Sequence, residues 1–386
     1  GQAGDGAAPP TLLPARNKRR GLPARLAAAR SRSCPVDYSF CGRAILNPLH
    51  MVRCALAGAG LACCVSAMAT PIFVLNSLNA DVSIIDSQTY AEMRRVPTGK
   101  EPHHLYLTPD EQSLMVANAM SDTITLLDPR TGAVQHTLTG IVDPYHLRFS
   151  PDMKWFVTAA NRLDHIDIYS WERRTEEFDL KLARRIPAGR TPSHIAIDSG
   201  SRVAYVTLQD SDQLIAIDLG TQAPLWTIPV GKTPADVFVT GDDKILLVAL
   251  TGDSYVEAYD LTVSPARLVR RIKTGAGAHA FRAQGDGRHL FVSNRAANTI
   301  SRIDMQTLEV VDSYPAPGGP DCMDVLADGK MLLVTSRWAG KLTVIDLETK
   351  KVSQQVRVGK SPHGVWTLGH AAAASCELSI GCIRPG

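Results

Sequence analysis

A short turn element, Gly-x-x-Pro or a degenerate form of it, returns seven times along the chain. It reads Gly99-Lys100-Glu101-Pro102, Asp143-Pro144, Gly189-Arg190-Thr191-Pro192, Gly231-Lys232-Thr233-Pro234, Gly275-Ala276-Gly277-Ala278, Gly319-Pro320 and Gly359-Lys360-Ser361-Pro362. The steps between the final residues are 42, 48, 42, 44, 42 and 42 positions. A period this steady means one supersecondary unit repeated and stacked on its neighbours.

Each period reads as four short strands. In 102–139, His104-Leu105-Tyr106-Leu107 alternates as a strand and Pro109-Asp110 opens a turn. Leu114-Met115-Val116-Ala117 and Ile124-Thr125-Leu126-Leu127-Asp128 follow, and Arg130-Thr131-Gly132 turns into a weaker fourth strand at Val134–Leu138. Four strands in roughly 42 residues match a propeller blade and fit neither a β-solenoid nor a helical repeat. The ends fix the topology. Residues 72–98 supply the second to fourth strands of a blade, and 362–368 supply a first strand with nothing after it. Joining them predicts an all-β, seven-bladed β-propeller, four antiparallel strands per blade, closed by the C-terminal strand and so without an open edge.

These units resemble the YVTN-repeat, or YncE-like, propeller family. The resemblance rests on the Gly-Lys-x-Pro turn, Ser150-Pro151-Asp152, Ala327-Asp328-Gly329, Val116-Ala117-Asn118, and Val344-Ile345-Asp346 before Thr349. It covers about residues 70–368 and implies the fold strongly and the function weakly. Blade three departs from the pattern, because Glu172 to Arg185 lengthens its last hairpin with a charged stretch.

Charge divides the chain. Residues 1–69 hold nine Lys and Arg against Asp5 and Asp37, while the remainder has 32 basic and 36 acidic residues. The acidic body disfavours nucleic acid as a partner. Residues 1–50, rich in Arg, Ala and Pro, read as an upstream extension or a disordered basic arm. Residues 51–69 read as a secretion signal: Arg53, the apolar run Cys54–Ser66, then Ala67-Met68-Ala69. The expected product is an exported, periplasmic or secreted monomer with no membrane span, a propeller at 70–370 and a short tail at 371–386. Cys376 and Cys382 could pair there, leaving Cys322 free.

The turns into the innermost strands all reach one end of the central channel, so the residues after each proline are expected to form a ring at its mouth. Six of the eleven histidines fall in it: His103, His104, His146, His194, His279 and His363. His104, His146 and His194 share one register on three consecutive blades, Asp236 takes it on the next, and Asp321 belongs to blade seven. Imidazole and carboxylate suit a transition metal, with His104, His146 and His194 as ligands, and a histidine near a propeller axis can ligate a tetrapyrrole. The haem-d domain of cytochrome-type nitrite reductase is a propeller that looks broadly similar. The alternative is that these histidines line a wet channel and bond neighbouring turns.

Loops between second and third strands bring Arg295, Arg337 and Trp338 to the same face, where they could bind an anionic or aromatic ligand. Asn76, Asn118 and Asn294 are better read as turn supports, and so are the aspartates after each third strand, such as Asp86 and Asp128. No Gly-x-Ser-x-Gly, phosphate-loop, His-Glu-x-x-His or Cys-x-x-Cys-His motif occurs. The first expectation is therefore a binding or scaffold propeller that recognises a small ligand or a periplasmic protein. A metal- or tetrapyrrole-dependent enzyme or maturation factor, and a polyanion binder acting through the arginines, are the alternatives.

Overall fold

The computed structural model describes residues 70–371 apart from 175–176. The expectations for the arm at 1–50, the leader at 51–69 and the Cys376–Cys382 pair lie outside the described residues. Seven four-stranded antiparallel sheets make up the propeller. Among the described residues no helix is long and apolar enough to cross a membrane.

The closing blade forms as the sequence implies. Pro362–Thr367 pairs antiparallel with Pro71–Asn76, setting Trp366 opposite Phe73 and Val365 opposite Val74. Asp81–Asp86 and Glu92–Pro97 complete that sheet. Second strands such as Leu114–Asn118 are buried along their whole length, because each sheet has another sheet on both faces. Fourth strands such as Val134–Thr139 are largely exposed at the rim.

The core accordingly lies between blades. Met115, Ala117, Ile124 and Leu126 of blade two pack on Leu147, Phe149, Phe156 and Tyr169 of blade three. At the seam, Ile72, Val74 and Ile85 pack on Leu333, Leu342 and Val344 of blade seven. Fully burying each such aliphatic side chain contributes about 1.5–3 kcal/mol, so the seam is held by the same chemistry as every other blade contact.

Polar residues at strand ends do structural work. Asn118 Nδ2 donates to Thr123 and Thr125, and Asn294 Nδ2 donates to Thr299 and Ser301 in the same manner. Asp86 Oδ1 accepts the backbone N–H groups of Gln88 and Thr89, and Asp128 Oδ1 those of Arg130 and Thr131. Blade three carries the long hairpin expected of it, with strands His165–Arg174 and Glu177–Pro187.

The Gly-x-x-Pro turns share one backbone device. The residue before each proline or its equivalent is left-handed: Glu101, Asp143, Thr191, Thr233 and Ser361 have φ between 47° and 61°, and glycine fills the position at Gly277 and Gly319. This sharp reversal leads directly into a bulge at the start of each inner strand.

Candidate metal and ligand site

The bulge builds the site. In blade two, Pro102 pairs with Asn118 and Leu105 with Val116, so His103 and His104 together oppose Ala117 alone. The register shifts at the corresponding place in the other inner strands, after Pro192, Pro234, Ala278 and Pro320, and at the seam. In a regular strand two successive side chains point to opposite faces. Here the extra residue lets both approach the axis, which yields two tiers of polar side chains where strand alternation predicts one.

His104, His146 and His194 are one cluster. Their ring centroids are 4.5–4.8 Å apart, and their potential ligand nitrogens lie within 4.8 Å of one another. His104 Nε2, His146 Nδ1 and His194 Nε2 are buried without hydrogen-bond partners. His194 Nδ1 is held 2.9 Å from Ser193 Oγ.

The second cluster is His279, Asp321 and His363, again with potential ligand atoms within 4.8 Å. His279 Nε2 is 3.1 Å and His363 Nε2 3.5 Å from Asp321 Oδ1. Arg295 and Arg337 both reach the other oxygen, Oδ2, at 2.7 and 3.2 Å. His103 lies between the clusters, stacked on His363 at 3.6 Å and edge-on to His104 at 5.0 Å.

Burial lowers the pKa of all six imidazoles: His194 falls to about 3, His279 to about 4, and His103, His104, His146 and His363 well below 6.5, with neighbouring imidazoles and arginines adding to the effect. The ring is therefore neutral at pH 7, the state in which imidazole binds a metal. Burial works to raise the Asp321 carboxyl, but the Arg295 guanidinium beside it outweighs burial and holds the group well below its usual value. Burial and the Asp321 charge push the Cys322 thiol well above its usual value, so it is not a thiolate.

Three sequence expectations change. The ring is not a solvated mouth: none of His103, His104, His146, His194, Asp236, His279, Asp321 and His363 is more than 9% exposed. A cavity of about 440 Å³ runs from His104, His146 and His194 along the inner strands to Glu111, Leu368 and His370, at the face opposite the Gly-x-x-Pro turns. The histidines are its floor, because the bulges crowd two tiers of side chains into one end of the channel. Asp236 lines the cavity without joining either cluster, since its oxygens accept the backbone N–H groups of Val237 and Phe281. Burial raises that carboxyl to about 6. Trp338 is 62% exposed. Its backbone N–H is held by the Gly318 carbonyl, and its indole covers the Gly318–Gly319 turn outside the channel.

A further tier escaped the sequence reading. Tyr106, Arg148, Arg282, Asp324 and Trp366 line the cavity above the floor. Each sits two residues beyond the second ring position, and that spacing was the signal available to find them. Arg282 Nε donates to Asp324 Oδ1 at 2.9 Å, and another of its nitrogens to the Ala371 carbonyl at 2.7 Å.

Fold and site together define a seven-bladed propeller whose axial channel ends in a buried, neutral histidine cluster. The chain belongs to the YNCE-like beta-propeller family, whose model matches residues 36–373. No curated protein sequence matches it. Among solved structures it is similar to the Pseudomonas aeruginosa periplasmic gluconolactonase PpgL, with 17% identity over 77% of this chain and 98% of that one and a TM-score of 0.65. The dihydro-heme d1 dehydrogenase NirN in complex with DHE is 16% identical over 78% of this chain and 76% of its own, with a TM-score of 0.58. Kuenenia stuttgartiensis hydrazine synthase is 18% identical over 70% and 92%, with a TM-score of 0.56. At these identities the likeness is one of fold.

Proposed function

We propose that this chain is an exported, periplasmic binding propeller that holds a transition-metal ion between His104, His146 and His194 and admits a small ligand to it along the channel. The observation that carries this reading is the set of three buried, partnerless imidazole nitrogens from three consecutive blades. Each buried polar atom left unsatisfied costs about 1–3 kcal/mol, and one ion relieves all three. Zinc would take such nitrogens at about 2.0–2.1 Å, so the three rings would draw together around the ion. Access fits the same reading, because the cavity leaves room above the floor for a molecule that completes the coordination.

The test is metal content and Zn(II) titration of the purified mature protein. A tightly held ion that is lost in His146→Ala and retained in His136→Ala supports the reading. His136 lies on the exposed fourth strand of blade two. A wild-type protein that binds no Zn(II), Cu(II) or Fe(II) rejects it.

A tetrapyrrole is the second reading. It is favoured by the aromatic and cationic walls at Tyr106, Trp366, Arg148 and Arg282, which suit a flat ring bearing carboxylates. NirN, a structural neighbour, is a dihydro-heme d1 dehydrogenase. One of His104, His146 and His194 would hold the iron of such a ring. Haem added to the purified protein should then give a shifted Soret band that His146→Ala or His104→Ala abolishes.

A further inference from the structure

We propose that the channel floor holds a second metal ion, bound by His279, Asp321 and His363 from blades six, seven and one. The site shares no residue with the His104, His146 and His194 cluster and stands or falls separately from it.

Hydrogen bonds behind the site fix which atoms face inward. His363 Nδ1 lies 2.8 Å from the backbone oxygen of His103. A carbonyl can only accept, so Nδ1 carries the hydrogen and Nε2 presents a lone pair. His279 Nδ1 lies 3.0 Å from Thr251 Oγ1. The Thr251 hydroxyl donates to the Ala278 carbonyl at 3.1 Å, which makes it the acceptor for His279 and leaves Nε2 of that ring a lone pair as well. Both Nε2 atoms approach Asp321 Oδ1, at 3.1 and 3.5 Å, and none of the three atoms has a hydrogen-bond partner. Three lone-pair donors thus converge in a space from which water is excluded, His279, Asp321 and His363 being at most 3% exposed. Such an arrangement repels itself until a cation lies between them.

The rest of the surroundings resembles the outer support of a metal site. Arg295 and Arg337 occupy Asp321 Oδ2 and leave Oδ1 free, which orients the carboxylate. A carbonyl and a hydroxyl orient the two imidazoles. Two imidazoles and one carboxylate form a donor set suited to Zn(II) or Fe(II) with open positions. His103, with both ring nitrogens unpartnered and next to both clusters, is placed to fill a position on either ion. The two arginines oppose a nearby cation, so this site should be the weaker of the two.

The experiment counts ions. Metal-stripped full-length mature protein is dialysed against Zn(II), and zinc per chain is measured by elemental mass spectrometry. The wild type should hold two ions, and Asp321→Asn and His279→Ala one each. His279→Ala leaves the Arg–Asp pairs intact, so it tests the ligand set without disturbing that packing, and circular dichroism confirms folding of both variants. Zinc content in folded His279→Ala and Asp321→Asn equal to wild type overturns the second site. Loss of zinc only on His146→Ala leaves the first site standing and this one rejected. Loss only on His279→Ala and Asp321→Asn leaves this one standing and the first rejected. A wild type that binds neither zinc nor, in the same dialysis under anaerobic conditions, Fe(II) rejects this site, and failure of Cu(II) as well rejects both.

Discussion

His363 stacks face to face on His103 at 3.6 Å between ring centroids, although 260 positions separate the two residues in the chain. The strand that closes the ring of blades is therefore also the strand that completes the channel floor. Without Pro362–Thr367, the second cluster lacks one imidazole, and His103 loses the ring stacked on it.

Closure can be tested by truncation. Removing 359–386 deletes the inner strand of blade one and exposes the edge of Pro71–Asn76. Aggregation or a large fall in melting temperature is expected. Removing 372–386 should change little. The boundary matters, because Ala371 is buried, donates its N–H to the Val325 carbonyl and accepts from Arg282. Equal melting of the full chain and the 359–386 deletion would show that the seam is not what holds the ring.

Inside the channel, Arg282 and Asp324 form a buried ion pair. Arg282→Ala strands a buried carboxylate and should cost about 3–5 kcal/mol in urea-unfolding stability. Pairing Arg282→Met with Asp324→Leu should recover only part of that loss. Asp324 also accepts the N–H groups of Val325 and Thr367, and those amides would then have no acceptor. A double variant no more stable than Arg282→Ala would contradict this account.

The fold was legible in the sequence because a period near 42 residues, with three strands lacking a first at one end and a lone first strand at the other, leaves few alternatives. The aspartate and asparagine roles were legible too, since turn chemistry is local. The site was only half legible. The turn positions placed His103, His279, Asp321 and His363 in the ring beside His104, His146 and His194, yet strand alternation gave no physical reason for two successive side chains to approach the axis, which the bulge supplies. Nor could spacing reveal which way the channel opens, since that depends on how two tiers of side chains fill one end. Trp338 looked like a ring residue because its loop reaches the correct face. Its indole instead packs over Gly319 and stays largely exposed.

Thr251 offers a test of the orientation argument that leaves every proposed ligand in place. Thr251→Val is close in shape and removes the hydroxyl that holds His279 Nδ1. Loss of such an outer partner typically weakens metal binding about 10–100-fold. Zn(II) affinity at the weaker site should fall by that factor while the stronger site is unchanged. Identical titrations of Thr251→Val and wild type would mean that the hydroxyl does not set the ring.

The pH dependence of the metal-free protein follows from the same buried rings. The six channel histidines have folded pKa values below the ordinary 6.5, with His194 near 3 and His279 near 4. Below about pH 6.5 the unfolded chain binds protons that the folded chain refuses, so stability is full above that pH and drains away as pH falls toward the folded values. Asp321, also depressed, adds a loss of the same sign below about 3.8. Asp236 acts in the opposite sense: raised to about 6, it favours the folded state at low pH and gives that contribution up as pH rises through 6. Asp143, also raised by burial, acts in the same sense as Asp236, and two carboxyls against six channel imidazoles leave the histidines dominant. Melting temperature should therefore hold from pH 8 to 7 and drop steeply between 6.5 and 4. His194→Gln, which cannot take up a proton, should make the drop shallower, and saturating Zn(II) should move its onset to lower pH. A melting temperature independent of pH over this range would mean that the rings are not buried as neutral groups.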